Sequence, residues 1–583
     1  MERFAKQAVE ALNSVLESPI DLSGLEIPPD PNLGDFAFPC FKLAKQYRKA
    51  PPQVAQETAA KILALKPDRW PTVSVKAVGP YVNFTAAVDE ALRALLTDFL
   101  AGPDMGSYGK LVAKSRGSWV LEYSSPNVAK PFNIYHLRPT ALGAALDRIG
   151  RFRGFDVISI NHLGDWGTQY GKLAVAFRLF GQDLPAEPTI DNLVDIYVKF
   201  HALEETNKAI ADEAREAFVK LEKGDPEMTA LWKKCVDISM KEFIRIYARL
   251  GVHFDHIWGE SFYKDQLAPL IADLKKRGLL IESEGAWVVP VTDENGKELP
   301  PCILQKSDGA TIYATRDLAA AIYRYDKFKF DRMTYIVGQE QKLHFQQVFG
   351  VLRKLGYDWA AKCEHVAFGL YRFKDAKMST RKGNFVTFDS VLELAKERVL
   401  TLMNEREEAK TFPPSVLAQT SEAVAIGALV FHDLHSDPVK DVEFDLESAV
   451  SFEGETGPYL QYAHTRCLSI LRKAQDNGTL KGGAPLYQEK LISKLTAPQE
   501  LALVKTLGQL PLHLERTLKY AKASQLAQYL IDVTKVFNAF YRECKVLTED
   551  AELTQARLML VESTRRILAQ GLNLLGIPRP ERM

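Results

Sequence analysis

The sequence predicts a multidomain α/β protein: a parallel sheet with a helical insertion, an α+β domain ahead of it and an all-helical bundle behind it. Three observations carry this. The chain has 583 residues, and at roughly 100–200 residues per domain it holds three to five domains. Between about 111 and 390, short β-branched or aromatic runs ("SWVLEYSS", "FDVISIN", "TIYATR", "RMTYIVG") alternate with turns and helical patterns, as parallel strands with crossover helices do. After about 390 strand signals almost vanish and helical periodicity takes over.

The elements follow in order. "MERFAKQAVEALNSVLE" reads as an amphipathic helix, and apolar residues alternate in "VSVKAV" until Gly79-Pro80 breaks the run before "GPYVNF". Residues 1–110 form the α+β domain, with "AGPDMGSYGK" at 101–110 as a linker. Residues 111–390 form the parallel-sheet domain, with a helical insertion over about 175–285. Residues 391–449 are a helical connecting region, and 450–583 the terminal bundle.

Composition narrows the class. Hydrophobic residues make up 46% and charged residues 25%, ordinary for a globular chain with several cores. Lys+Arg and Asp+Glu both number 74, which argues against a protein that coats nucleic acid non-specifically but leaves room for a local basic face. Cys40, Cys235, Cys302, Cys363, Cys467 and Cys544 form no CxxC pair and read as buried free thiols, not zinc ligands or disulfides. No secretory leader and no apolar run long enough for a bilayer is read, which predicts a cytoplasmic protein without a membrane partner.

In parallel sheets ligands sit at the carboxyl ends of the strands, and the unusual residues fall there: "SSPN", "NHLGDWG", "ATRD" and "GQEQKLH". The stretch "PNVAKPFNIYHLRPT" is a polar turn between a strand and a helix, a common way to build a phosphate site. Its tightest part carries Tyr135, where backbone would have to approach a ligand. "KMSTRKGNFVT" groups Lys377, Arg381 and Lys382 around two hydroxyl residues and Gly383, which suits the spread charge of a pentavalent phosphorus. Alone, such a loop reads as a solvated basic turn.

Together, "NIYHL" and "KMSTRKG" resemble the HIGH and KMSKS signatures of class I aminoacyl-tRNA synthetases. "SSPNVAKPFNIYHLRPT" with "LGDWGTQYGKL" resembles the arginyl-tRNA synthetase family, and the likeness continues through "YATRDLAAAIYR", "QKLHFQQVF", "TGPYLQYAHTR" and "PERM". The resemblance implies a Rossmann-type catalytic domain at 111–390. It implies formation of arginyl-adenylate from L-arginine and ATP with Mg2+, and transfer of arginine to tRNA(Arg). It also implies a monomer that needs tRNA bound before activation, with no protein-bound metal or prosthetic group.

The resemblance also implies roles. The HIGH-like region is Pro126, Asn127, Val128, Ala129, Lys130, Pro131, Phe132, Asn133, Ile134, Tyr135 and His136. His136 would donate to ATP phosphates, and Asn133, Tyr135, Met378 and Ser379 would contact ATP. Thr380 stands where the family's second loop lysine lies. Lys130, just upstream of the HIGH-like turn, is placed to compensate, with Lys377, Arg381 and Lys382 as the other catalytic cations. The family's usual glycine is Tyr135 here, which predicts weakened ATP binding or a ring that rotates out.

For the substrate side chain, a guanidinium needs carboxylates placed for paired bonds. Glu122 and Asp317 would hold it, with Tyr313 beside it and Asn127 and Gln341 at the amino-acid end. An acidic residue inside the apolar run "WVLEY" needs a partner, which favours that reading of Glu122 over a plain edge-strand carboxylate, and of Asp317 over a helix N-cap. His162 and His344 are open between packing and ligand roles. No acidic or Cys partners at metal spacing accompany them, so zinc is not expected.

For tRNA, Tyr81 and Asn83 lie on one strand face and would meet an unpaired base of the D-loop. Tyr459, Tyr462, Tyr541 and Met583 match positions around the anticodon. Core packing is the alternative for all of these. Two other readings stand beside the synthetase: a synthetase-like RNA-binding protein without catalysis, and a small-molecule nucleotidyltransferase. The latter predicts a short chain without flanking domains.

Overall fold

The alternation in "VSVKAV" and the Gly79-Pro80 break fold as a hairpin. The computed structural model describes all residues but 29, 31–32, 66–72, 88–92, 94–95, 99–106, 308, 374–385, 406–411, 481–484 and 486. In it β1 (Phe36–Pro39), β2 (Val73–Val78) and β3 (Tyr81–Ala86) form an antiparallel sheet in the order β1-β3-β2. Gly79 turns the hairpin at φ +54°, a conformation glycine adopts without steric cost. Part of the expected 101–110 linker falls outside the described residues.

The chain divides into two units. One comprises Met1–Val112, Val399–His435 and Ser448–Met583, and the other Ala113–Arg398 and Ser436–Glu447. In the second, β4 (Ser118–Glu122), β5 (Asp156–Asn161) and the two-residue β6 (His256–Ile257) are joined by helices. After them come β7 (Ile281–Ser283), β8 (Ala286–Thr292), β9 (Glu298–Lys306), β10 (Arg332–Gly338) and β11 (Cys363–Phe368). A parallel five-stranded sheet runs β11-β10-β4-β5-β6. β12 (Tyr371–Phe373) pairs in parallel with β13 (Val442–Phe444).

Three expectations change here. "TIYATR" is not a strand: helix Tyr313–Phe328 begins inside it, because its apolar run is too short to compete with the periodic "LAAAIYRY" that follows. The 175–285 insertion is not purely helical, since β6 extends the parallel sheet from within it. Next to it β7, β8 and β9 form an antiparallel sheet that the sequence reading left out.

Helix Ile134–Phe152, between β4 and β5, packs on the sheet through small residues. A Cβ at Gly143 would lie 2.1 Å from the Tyr123 ring, so only glycine lets the helix approach the first strand this closely. The helix begins with the last three residues of the HIGH-like region, Ile134, Tyr135 and His136.

The other unit is dominated by helices Pro414–His435, Gly457–Asp476, Ser524–Glu543 and Ala551–Leu575, which pack on one another. The expectation of no bilayer-length apolar run is corrected: Pro414–His435 is long and apolar enough to cross a membrane by length and composition. Its apolar face is the core of this unit, where Val424, Leu429 and Phe431 are buried. At Gly457 a Cβ would lie 2.2 Å from the Gly427 carbonyl oxygen, so these two helices touch backbone to backbone. Among the cysteines Cys363 is half-buried and the others buried; all are free thiols.

Two buried imidazoles in this unit contribute to its acid response. Burial, followed by the charges of Arg565 and Arg579, lowers His464 to about 4 from the ordinary 6.5. Burial, with the charge of Arg516, lowers His513 to about 3. Below 6.5 the unfolded chain therefore binds protons that the folded unit refuses. The stability they contribute is complete above about pH 6.5 and falls as pH drops toward 3–4. Urea midpoints should decline from pH 7 to pH 5, and His513→Gln should flatten that decline.

Candidate active site

The turn after β4 is strained and braced. Ser124, Ser125 and Ala129 adopt φ of +70°, +48° and +62°, a region that costs a non-glycine residue roughly 1–2 kcal/mol. Hydrogen bonds hold each in place. Ser124 Oγ lies 2.8 Å from the Tyr247 hydroxyl and accepts from Thr140 Oγ1 at 2.7 Å. Ser125 N donates to Asn161 Oδ1 at 3.1 Å, and Asn161 Nδ2 donates to the Tyr247 hydroxyl at 3.0 Å. Ala129 N donates to Ser239 Oγ at 2.9 Å. Ser239 and Tyr247 both come from helix Pro226–Leu250, so the helical insertion braces the turn.

Asn133 caps the next helix. Its side chain accepts from His136 N, and its own N–H donates to His136 Nδ1 at 3.2 Å, a reciprocal cap. This hydrogen-bond pattern assigns the proton to Nε2. Burial, then the Lys130 charge, lowers His136 to about 4, so the ring is a neutral donor at physiological pH. Tyr135 is 43% exposed and stands edge-on to Tyr371 at 6.3 Å between centroids. Ile134 N donates to Val386 O, and Phe388 N donates to Phe132 O, both at 3.0 Å. The turn is thereby stitched to the segment that follows the basic loop. Lys377, Met378, Ser379, Arg381 and Lys382 themselves lie outside the described residues.

A cavity of about 520 Å³ opens at this end of the sheet, and Glu122, Asn127, Tyr135, His136, Tyr313, Asp317 and Gln341 all line it. Asn127 is set by a close approach: a Cβ at Gly164 would lie 2.1 Å from its Oδ1. Asp317 receives His344 Nε2 on Oδ2 at 2.5 Å, with His162 Nε2 3.8 Å from Oδ1. Burial opposes its charge, yet the His344 hydrogen bond and the neighbouring cations hold its carboxyl below the ordinary carboxylate value. Asp317 lies inside its helix, not at the cap, which is Ile312.

Glu122 needs a correction. The partner demanded by its burial is within the chain: Arg324 donates to Glu122 and is itself 0% exposed. Arg324 also donates to the Tyr263 hydroxyl at 3.1 Å and lies 3.2 Å from His162 Nδ1. Nor is Glu122 on an edge strand; β4 is central in the sheet.

The sequence reading missed Glu260, which lines the cavity and accepts from Arg316 at 2.6 Å. It is set by "LGDWG": Asp165 accepts from Ser261 N at 2.9 Å and Ser261 Oγ at 2.6 Å. Arg324 was legible in principle, since it follows Asp317 by two helical turns on one face.

The tRNA candidates lie in the other unit. Tyr81 packs edge-on to Phe41, while Asn83 is 4% exposed. Asn83 shares its strand face with Tyr81, opposite the apolar face of Val82 and Phe84, and is buried there. Tyr459, Tyr462 and Tyr541 converge. Arg466 lies over the rings of Tyr462 and Tyr541 at 4.8 and 5.6 Å, and Asn538 joins Arg466 to the Tyr459 hydroxyl. Met583 is 4% exposed and so sits inside the fold, not on the surface. Among the described residues no cluster of three His, Cys, Asp or Glu side chains is arranged for a metal.

Comparisons with known proteins agree along the whole chain. Residues 2–86 match the model "Arginyl tRNA synthetase N terminal domain", 105–446 match "tRNA synthetases class I (R), catalytic domain", and 460–583 match "DALR anticodon binding domain". The arginine–tRNA ligase of Alkaliphilus metalliredigens is 40% identical over 590 residues, covering 100% of both chains. That of Clostridium perfringens is 43% identical over 561 residues, covering 96% of each. The structure of the Thermus thermophilus arginyl-tRNA synthetase superposes with a TM-score of 0.83 at 27% identity, covering 100% of both chains.

An NMR titration of the ligand-free protein should place the His136 midpoint near 4. Lys130→Met should move it upward, because a repelling charge is lost.

Proposed function

The chain belongs to the arginyl-tRNA synthetase family, and on that premise we propose which residues carry each step of its reaction. The enzyme is an arginine–tRNA ligase of class I. It charges tRNA(Arg) with arginine through an aminoacyl-adenylate and uses ATP. The observation that carries the assignment is one cavity lined both by His136, which the Asn133 cap aims, and by Asp317 with its histidine partner.

ATP enters with Mg2+ as part of the substrate. The neutral His136 donates its Nε2 proton to phosphate oxygens as charge develops on them, without itself changing charge. Lys130 stands in for the lysine that Thr380 replaces, and Lys377, Arg381 and Lys382 supply further cations, with Met378 and Ser379 beside them. Tyr135 swings from Tyr371 to admit the adenine. Asn133 serves by holding His136 and the start of the helix.

Arginine lies across the cavity with its guanidinium on Asp317. Glu122, its charge offset by Arg324, forms part of the floor below it, and Tyr313 covers it from the open side. Asn127 and Gln341 receive the amino-acid end. The enzyme acts as a cytoplasmic monomer.

Residues 1–110 bind the tRNA elbow through Tyr81, with Asn83 shaping the strand beneath. Residues 111–390 catalyse, 391–449 connect, and 450–583 read the anticodon through Tyr459, Tyr462 and Tyr541, with Met583 closing the fold behind them.

ATP–pyrophosphate exchange with arginine, run with and without tRNA(Arg), tests the reading; no exchange with both present would sink it. Asp317→Asn should raise the arginine KM by roughly 30-fold or more, the scale of about 2–5 kcal/mol for breaking a buried charged contact. Tyr135→Gly should change the ATP KM; an unchanged value removes the swinging ring from the scheme.

A further inference from the structure

Asp317 is one of several carboxylates at the cavity, but its neighbours differ in kind. Glu122 and Glu260 are each neutralised by a buried arginine, Arg324 and Arg316. Asp317 is instead bracketed by two imidazoles, His344 Nε2 at 2.5 Å from Oδ2 and His162 Nε2 at 3.8 Å from Oδ1. His344 is itself fixed. It sits in helix Lys342–Lys354, edge-on to the buried Phe345 at 5.3 Å, and Phe345 in turn stacks on His365 at 4.7 Å.

A planar guanidinium makes paired bonds only when the plane of the carboxylate is set. A carboxylate offers about four lone-pair sites. One donor on Oδ2 fixes the plane and leaves the remaining sites for a ligand. An arginine partner in that place would occupy the same edge that the substrate fork requires.

We infer that His344 is a positioning residue for substrate recognition: its Nε2–H on Asp317 Oδ2 fixes the carboxylate plane that the arginine guanidinium engages. This rests on the reading of Asp317 above. His344 touches the substrate's acceptor and not the reacting atoms, so its loss weakens arginine binding and leaves the chemical step nearly intact. The depressed titration of Asp317, to which the His344 hydrogen bond contributes, is consistent with a donor at this atom.

The test compares the full-length enzyme with His344→Leu, His344→Gln and His344→Asn in ATP–pyrophosphate exchange with tRNA(Arg) present. Gln carries its amide nitrogen near the position of Nε2; Asn carries it near Nδ1. His344→Leu should raise the arginine KM by roughly 10–100-fold, the usual scale for removing a supporting hydrogen bond at a site, with kcat and the ATP KM little changed. Gln should restore most of the arginine KM, and Asn should not.

An unchanged arginine KM in the Leu variant overturns the inference. So does a fall in kcat at constant KM, or equal behaviour of Gln and Asn, which would mark a packing role. Absence of arginine-dependent exchange in the unaltered enzyme would instead overturn the function itself, and this inference with it.

Discussion

Arg324 is fully buried, and burying an unpaired guanidinium is among the most costly things a fold can do. Glu122 neutralises it, Tyr263 accepts from it, and His162 Nδ1 lies 3.2 Å from its far side. These four residues belong to the central strand, the helix after the antiparallel sheet, the segment that follows β6 and the end of β5. Removing either charge would strand the other at about 3–5 kcal/mol. The pair therefore dictates how the carboxyl end of the sheet is assembled, and the cavity floor is a by-product of that requirement. It also separates the buried acids by partner: Glu122 and Glu260 are each tied to an arginine, while Asp317 has imidazole partners.

The wall of the cavity obeys a second constraint. Three non-glycine residues hold left-handed backbone within a single turn, and their combined cost would let an isolated loop relax. Helix Pro226–Leu250 prevents this through Tyr247 and Ser239. The same C-terminal half of the helix is tied elsewhere as well: Arg245 and Arg249 pair with Asp389, and Arg249 with Glu393, on the helix that follows the basic loop. The insertion thus acts as a brace between the strained turn and helix Phe388–Asn404.

Much of this was legible from residues. Parallel strands were marked by β-branched runs ending in polar turns, and the bundle by uninterrupted helical period. Single residues were legible where a local motif fixes them, as with His136 at the start of its helix and Asp317 in the helix that begins at Tyr313, all of which line the cavity. Partners remote in sequence were hidden. Glu122 and Arg324 are 202 residues apart, and no local pattern says that the acid of one strand answers the base of a later helix. For the same reason the burial of Asn83 was hidden: period places it on the strand face of Tyr81 but does not say what covers it. β6 escaped notice because two residues form too short a run to carry a period.

The cap at Asn133 has a consequence for how this protein can vary. One pair of reciprocal hydrogen bonds both starts the helix and orients the imidazole. Most enzymes can lose activity at one position and stability at another, and so drift along the two independently. Here the two properties share the same atoms. A change at Asn133 that loosens the helix also turns His136, and a change that frees His136 uncaps the helix. Variation at this corner is confined to side chains that perform both tasks at once. Asparagine is such a side chain: short, polar and able to accept from the third residue of the helix it begins.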